Sequence, residues 1–479
     1  MRAVSVALLV VWAIWGSLAR AQQPRYADAV ERQVAENSLA AHAKLLCSGV
    51  FVVGRDADEF IAHDLQREPP IAPGWDEITV DVDRNRKSVT LSAPELPPRT
   101  AVYNGSQGCT LLPVGQDDVL FEPVDVLPAL PDAASQYWPT GDRLSEDPLP
   151  REVDKGRLQA AMDYAFSEPD SEHPQNTRAI VVVYKDRLIA EGYAPGFDRD
   201  TRHICWSMGK SITSALIGIL VGQGHFDVDD PAPIALWHQA GDPRGAITMA
   251  HLLQMSGGLD FHMGTPLDRT LYTNRDDHRY VYFAATDVFE HSIDRKLAFE
   301  PGTKWRYRNC DPLTLGKIIR QTVEAGGEEY LSFPQRALFD KIGIRHMVLE
   351  PDTHGNFIMT GYEYGTARDW ARFGLLHLHD GVWNSDRILP EGWVDFVRTP
   401  APAAANENYG GLFWLNRGGT YDSLPRDLYW ASGHHGQMTA IIPSRDVVIV
   451  RLGHSARGGF GPYIEQVFRR ILAAIEPPA

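Results

Sequence analysis

The run Ile212-Thr-Ser-Ala-Leu-Ile-Gly-Ile-Leu-Val221 is apolar nearly all round, so it predicts a helix buried in a core rather than lying on a surface. The segment leading into it is Cys205-Trp206-Ser207-Met208-Gly209-Lys210-Ser211. Ser207 and Lys210 are three residues apart and share one helical face. A lysine on the first turn of a core helix is poorly solvated. A buried amine loses its proton more readily and can then act as a base, which a serine hydroxyl needs before it becomes a nucleophile. The bare S-x-x-K spacing also fits a capping serine beside a solvated lysine. The apolar context weighs against that bland reading.

The chain has 479 residues and a net charge of −16. Met1-Arg2 is basic, Ala3 to Leu18 is apolar, and Ala19-Arg20-Ala21 fits an A-x-A cleavage site. Residues 1–21 therefore predict a signal peptide cleaved after Ala21, leaving Gln22 as the mature N-terminus. The run is slightly short for a bilayer span, so no stable membrane insertion is expected after cleavage. A secreted or periplasmic location follows, where disulfides are allowed and ATP is absent. No basic patch is present, which argues against a nucleic-acid partner. The length exceeds what one core usually fills, and two or three units are expected.

Residues 22–121 predict an appended N-terminal α+β unit. It begins polar and helical and passes through the apolar run Ser48–Gly54. Residues 78–93 alternate around Asp83-Arg84-Asn85-Arg86, which reads as a hairpin. A further strand is expected from Thr100 to Leu112, and Asn104-Gly105-Ser106 reads as a turn. Residues 122–152, rich in Pro and Asp, predict a linker wrapping the surface. Residues 153–479 form the larger unit. Ala179–Tyr184 and Arg187–Tyr193 flank Lys185-Asp186 as a hairpin. A helical and looped middle runs from about 223 to 400. Strands return at Gly411–Asn416, Gln437–Pro443 and Val447–Leu452, before a helix at about 460–475. A sheet built from both ends of a segment, with helices inserted between, is an α+β fold. An antiparallel sheet flanked by helices carries a helical subdomain, with a cleft at the seam. Of the four cysteines, Cys47 and Cys109 are expected to pair. Cys205 and Cys310 are either bridged or two small buried hydrophobes.

Two further motifs carry chemistry. In Trp305-Arg306-Tyr307-Arg308-Asn309-Cys310-Asp311, a phenol and an amide stand two residues apart. A phenol near a lysine can relay a proton, and an amide can hold a carbonyl or the lysine. In Ser432-Gly433-His434-His435-Gly436-Gln437, a glycine-flanked strand edge lets backbone N–H groups approach a ligand and form an oxyanion hole. Taken alone, the first also fits a loop tyrosine packing a core, and the second a turn with two solvated histidines.

The three motifs in this order resemble the serine β-lactamase and penicillin-binding-protein superfamily. The likeness is nearest its class C-like branch of esterases, D-aminopeptidases and 6-aminohexanoate-dimer hydrolases. The flanks strengthen it: Ile247-Thr-Met-Ala-His-Leu-Leu-Gln-Met-Ser-Gly-Gly-Leu259, Phe299-Glu-Pro-Gly-Thr303, Thr366-Ala-Arg-Asp-Trp-Ala-Arg-Phe-Gly374, Gly381-Val-Trp383 and Ile388-Leu-Pro-Glu-Gly-Trp393. It covers about 155–475 and leaves the N-terminal unit unmatched. It implies Ser207 as nucleophile, Lys210 as its base and Tyr307 as proton relay. Asn309 would orient Lys210 or the substrate, and the N–H groups of Ser207 and Gln437 would bind the oxyanion. His434-His435-Gly436 stands where many relatives have Lys-Thr-Gly. A histidine is mostly neutral near pH 7, which leans away from carboxylate-bearing lactams and toward small-molecule esters or amides. The alternative the resemblance leaves is a penicillin-binding sensor, or a D,D-peptidase-like protein acting on peptidoglycan stems with little turnover. Tyr307, available for deacylation, favours the enzyme. Rival motifs fail. A nucleophile elbow needs glycine where Cys205 stands, and a P-loop needs glycine where Ile204 stands. His377-Leu378-His379 places its imidazoles on different sides of a helix, so it reads as surface chemistry of no consequence. No cofactor and no metal is expected, and the oligomeric state stays open.

Overall fold

The computed structural model describes residues 26, 28–66, 74–262, 277–456 and 460–475. The predicted signal segment, residues 1–21, lies outside them. Asp28 caps the first helix by accepting the Glu31 N–H at 2.8 Å. That helix, α1 (Ala29–Ser48), runs into a π-turn over Gly49–Val53, followed by the short α2 (Ala57–Phe60). An antiparallel meander follows: β1 (Thr79–Asp83), β2 (Ser88–Ser92), β3 (Arg99–Tyr103) and β4 (Cys109–Leu111), paired in that order. α1 lies across it, with Leu39, Ala43 and Leu46 packed against Val89, Leu91 and Ala101. The hairpin expected at Asp83–Arg86 is the β1–β2 turn. The strand expected over Thr100–Leu112 is two strands, because a turn at Asn104 and a 3-10 turn at Gly105–Gln107 fold β4 back onto β3. Cys47 and Cys109 are disulfide-bonded, tying α1 to β4.

Residues 122–152 carry only a 3-10 turn, at Ala133–Ser135, among regular elements. The larger unit opens with α3 (Lys155–Phe166), then β5 (Thr177–Tyr184), β6 (Arg187–Tyr193) and the two-residue β7 (His203–Ile204). Its helical part comprises α4 (Gly209–Gly222), α5 (Met249–Leu253), α6 (Val288–Ile293) and α7 (Cys310–Ala325). β8 (Val348–Leu349), β9 (Glu363–Gly365), α8 (Ala367–Leu378), the hairpin β10 (Val382–Trp383) and β11 (Asp386–Arg387), and α9 (Trp393–Val397) lead back to the sheet. β12 (Trp414–Leu415), β13 (Tyr429–Gly433), β14 (Gln437–Ile442), β15 (Val447–Gly453) and α10 (Phe460–Ala473) complete it. The six-stranded order is β12-β13-β14-β15-β5-β6, antiparallel throughout.

Alternation along β5 decides the layering. Ala179, Val181 and Val183 face the core that holds α4, α7 and α8, while Ile180, Val182 and Tyr184 face α3 and α10. The strand expected over Gly411–Asn416 shrinks to Trp414–Leu415, because Leu412 takes a left-handed backbone (φ +63°) that breaks extension. Cys205 and Cys310 are both free and buried, so the second of the two cysteine readings holds. His377 is a correction. It is buried, not superficial, with Nδ1 2.9 Å from the Phe373 carbonyl and its ring against Phe373 and Phe413, whereas His379 turns out to Asp186.

The two units share a buried joint. Lys44 of α1 donates to the Cys109 carbonyl and to the Glu350 carboxylate, and both ionic groups are at most 1 % exposed. Glu350 also accepts from Ser48 Oγ at 2.8 Å and from the Cys109 N–H at 2.7 Å. Asp64 adds a second clamp, taking two hydrogen bonds from Arg178 of β5 at 2.7 and 2.9 Å. Among the described residues no helix is long and apolar enough to cross a membrane.

Candidate active site

β7 pairs with β9, His203 opposite Gly365 and Ile204 opposite Tyr364, and the Cys205 N–H donates to the Glu363 carbonyl at 2.7 Å. This anchors the chain just before the S-x-x-K segment. Trp206 then takes φ +50°, a conformation uncommon for a bulky residue and found where a site over-determines the backbone. Ser207 lies in the 3-10 turn Trp206–Met208, immediately ahead of α4, and Lys210 lies on the first turn of α4. Lys210 Nζ is 2.9 Å from Ser207 Oγ and donates to the Thr360 carbonyl at 3.1 Å. The same carbonyl accepts from Tyr282 Oη at 2.6 Å and Ser207 Oγ at 3.3 Å.

Lys210 is 1 % exposed. Burial brings its amine from the ordinary 10.5 down to about 7, with the Glu363 carboxyl pulling the other way. Tyr307 places its ring 4.9 Å below Lys210 Nζ. Burial pushes its phenol above the usual value, and a hydrogen bond to Ser207 only partly offsets that. A buried neutral phenol beside a buried, readily deprotonated amine suits a relay rather than an anionic base.

The remaining residues fall in two places. Gly433 abuts the Cys205 carbonyl so closely that a Cβ there would lie 2.0 Å from its oxygen. That approach lays the start of β14 beside the Ser207 turn. His434 is exposed with its ring edge-on to Trp206 at 5.7 Å, and His435 takes φ +59°. Arg451 fixes the turn from beneath, donating to the His435 and Gly436 carbonyls at 3.1 and 3.0 Å. The Gln437 side chain is buried in hydrogen bonds with Gly453, and the residue opens β14 in register with Gly433 of β13. Asn309 stands at the start of α7 and donates to the His278 carbonyl at 2.7 Å rather than to Lys210. Its Oδ1 is buried without a hydrogen-bond partner among the described residues.

Several participants have no signature in the motifs. Thr360 meets Ser207, Lys210 and Tyr282 through its carbonyl, which no side-chain pattern announces. Tyr282 and Tyr362 pack edge to face with ring centroids 5.5 Å apart, and Trp206 rests on both. Tyr409 and Trp414 wall the Tyr307 side, with Trp414 5.4 Å from Tyr307. Aromatic rings thus stand on both sides of the Ser207–Lys210 pair. Among the described residues no group of three or more His, Cys, Asp or Glu side chains is placed to hold a metal ion.

A family model described as beta-lactamase matches residues 168–466. The 6-aminohexanoate-dimer hydrolase of Paenarthrobacter ureafaciens is 25 % identical over 291 residues, covering 58 % of this chain and 72 % of that protein. A Bacillus anthracis structure provisionally called a 6-aminohexanoate-dimer hydrolase superposes with a TM-score of 0.55 at 20 % identity, covering 74 % of this chain and 90 % of the other. A family VIII carboxylesterase gives a TM-score of 0.50 at 14 % identity, over 67 % and 98 %. These solved structures support the fold, and the family match spans more than half of the sequence. On this evidence the chain belongs to the beta-lactamase family, within the serine β-lactamase and penicillin-binding-protein superfamily.

Proposed function

We propose that this protein is an exported serine hydrolase that cleaves small ester or amide substrates through an acyl-enzyme on Ser207. The observation that carries the reading is the 2.9 Å contact between Ser207 Oγ and a buried Lys210 amine whose pKa falls near 7. As the free base, Nζ accepts the Ser207 proton while keeping its N–H on the Thr360 carbonyl. Oγ attacks the substrate carbonyl carbon, and the N–H groups of Ser207 and Gln437 receive the resulting oxyanion. The ammonium returns its proton through Tyr307 to the leaving oxygen or nitrogen as that bond breaks. Water enters, gives a proton back along the same path, and its oxygen displaces Ser207 from the acyl carbon. Lys210 then hands that proton to Ser207 Oγ as the acyl–oxygen bond breaks, and the acid leaves.

The half-buried Trp206, Tyr282 and Trp414 favour apolar or aromatic substrate groups, and the exposed His434 offers an imidazole beside Trp206. The Cys47–Cys109 disulfide is compatible with export, because such bonds persist in oxidising compartments.

Intact-mass spectrometry after brief exposure to a fluorophosphonate, a p-nitrophenyl ester and a penicillin tests the proposal. One adduct should map to Ser207, the ester adduct should decay as product appears, and Ser207→Ala should take up no probe. A long-lived penicillin adduct alone would instead identify a sensor. Labelling of Ser207→Ala at the parent rate would end the proposal.

A further inference from the structure

One backbone oxygen beside the nucleophile faces more donors than it has lone pairs. The Thr360 carbonyl lies 2.6 Å from Tyr282 Oη, 3.1 Å from Lys210 Nζ and 3.3 Å from Ser207 Oγ. A carbonyl oxygen offers two lone pairs. The tyrosine contact is the shortest of the three and lies in the ordinary O–H···O range, so it fills one of them. Lys210 and Ser207 share the other, and they also face each other at 2.9 Å.

Packing holds donor and acceptor together. The Thr360 and Gly361 N–H groups both donate to the Ile358 carbonyl, at 2.7 and 3.2 Å, in a tight turn that fixes the Thr360 oxygen. A Cβ at Gly361 would lie 2.9 Å from Tyr282 Cε1 and 3.2 Å from Tyr282 Oη, so the phenol approaches this turn as closely as a glycine allows. Trp206 and Tyr362 meet the Tyr282 ring edge to face, with centroids 6.3 and 5.5 Å away. Tyr362 Oη also donates to the Tyr282 carbonyl at 3.1 Å.

Resting on the Ser207–Lys210 reading, we infer that Tyr282 is a positioning residue for the base: by occupying the Thr360 carbonyl it turns the Ser207 hydroxyl toward Lys210 Nζ and denies the ammonium a full acceptor. With the amine neutral, its lone pair faces Oγ, and the serine proton has one short path, from Oγ to Nζ. A vacant lone pair on the carbonyl would change both partners. Ser207 would donate there instead, with its proton turned from the base. The ammonium would gain a strong acceptor, and a hydrogen bond to the charged form raises the pKa of an amine. Other titratable groups surround the pair. Burial lowers the Lys210 amine, Glu363 of β9 opposes this, and burial drives Glu363 itself toward its neutral form. Burial pushes up the Tyr307, Tyr282 and Tyr362 phenols, which stay neutral. It lowers His278 to about 4, so that imidazole is neutral near pH 7. Lys44, paired with Glu350, stands behind Tyr362 with Nζ 4.5 Å from its ring.

The test is the rate of Ser207 labelling by a fluorophosphonate from pH 5 to 10, for the parent and Tyr282→Phe. The variant keeps the ring and its packing and loses only the donor. The acid limb should move up by about half a pH unit, because the ammonium gains the freed lone pair. The plateau should fall by about two- to fivefold, as a share of the Ser207 hydroxyls turns to the carbonyl. A limb that stays or moves down in a folded Tyr282→Phe protein would overturn the inference while leaving Ser207 and Lys210 in their roles. Loss of labelling at Ser207 in the parent itself would overturn those roles first. Should Tyr282→Phe fail to fold, Gly361→Ala supplies the same sign, since its methyl displaces the phenol from the carbonyl. An unmoved limb in that variant counts against the inference equally.

Discussion

The Lys210 amine has exchanged bulk water for Ser207 Oγ at 2.9 Å and the Thr360 carbonyl at 3.1 Å, and that exchange sets both its reactivity and its cost. Protonated Lys210 cannot accept the serine proton, so kcat/KM should rise with pH through about 7 and level off above it. Its stability effect has a definite sign. The folded pKa of about 7 lies below the unfolded value of 10.5. Between those values the unfolded chain binds the extra proton, so stability falls as pH drops from 10.5 to 7 and is flat below. The penalty near neutrality is on the order of a few kcal/mol. The two hydrogen bonds offset roughly 1 kcal/mol each, and Thr360 keeps the Tyr282 hydroxyl if the amine is removed. Lys210→Met should therefore be inactive yet melt at a higher temperature than the parent at pH 7. A lower melting temperature would show that the amine is not desolvated as described.

At the scale of elements, the site depends on one strand end touching one turn. β13 closes on the Cys205 carbonyl at Gly433, and Arg451 holds the following turn by its carbonyls. Gly433→Ala puts a methyl where only 2.0 Å separates Cβ from a backbone oxygen, so β13 and the Ser207 turn must separate. Overpacking of this kind costs about 1–3 kcal/mol, and a 1 Å misplacement of catalytic groups can cost roughly a hundredfold in rate. The variant should still unfold cooperatively but lose about two orders of magnitude in kcat, and near-parent turnover would show that the strand end does not set the geometry. How much of this was legible varies element by element. The apolar run after Lys210 announced a core helix, and β5 to β6 announced itself through Lys185-Asp186. The Asn309 contact was not legible, because a short-range motif cannot say that the amide turns to His278. Glu363 left a faint trace as a lone acid between aromatics in Gly361-Tyr-Glu-Tyr-Gly365. Its contact with Gly209, 154 residues away in sequence, exists only because β9 lies beneath the first turn of α4.

Across the whole molecule, the N-terminal unit reaches the Ser207–Lys210 site through the Lys44–Glu350 pair. Lys44 Nζ lies 4.5 Å from the Tyr362 ring, Tyr362 Oη donates to the Tyr282 carbonyl at 3.1 Å, and Tyr282 holds the Thr360 carbonyl that receives Lys210. The unit is therefore part of the wall beneath the site and not a loose appendage. Burial lowers the Lys44 amine and raises the Glu350 carboxyl, and the Ser48 and Cys109 donors hold the carboxylate in place. Such a pair stabilises little compared with an apolar contact, but removing one partner strands the other, at about 3–5 kcal/mol. Lys44→Met should lower the unfolding free energy from denaturant titration by that amount, and Lys44→Met with Glu350→Leu should recover most of it. The double variant separates charge from packing. If the single and double variants lose equal stability, the joint works by shape, and the N-terminal unit could be exchanged without regard to its lysine. If only the single variant fails, the unpaired charge is the cause, and the unit and the hydrolase core are bound as an electrostatic whole.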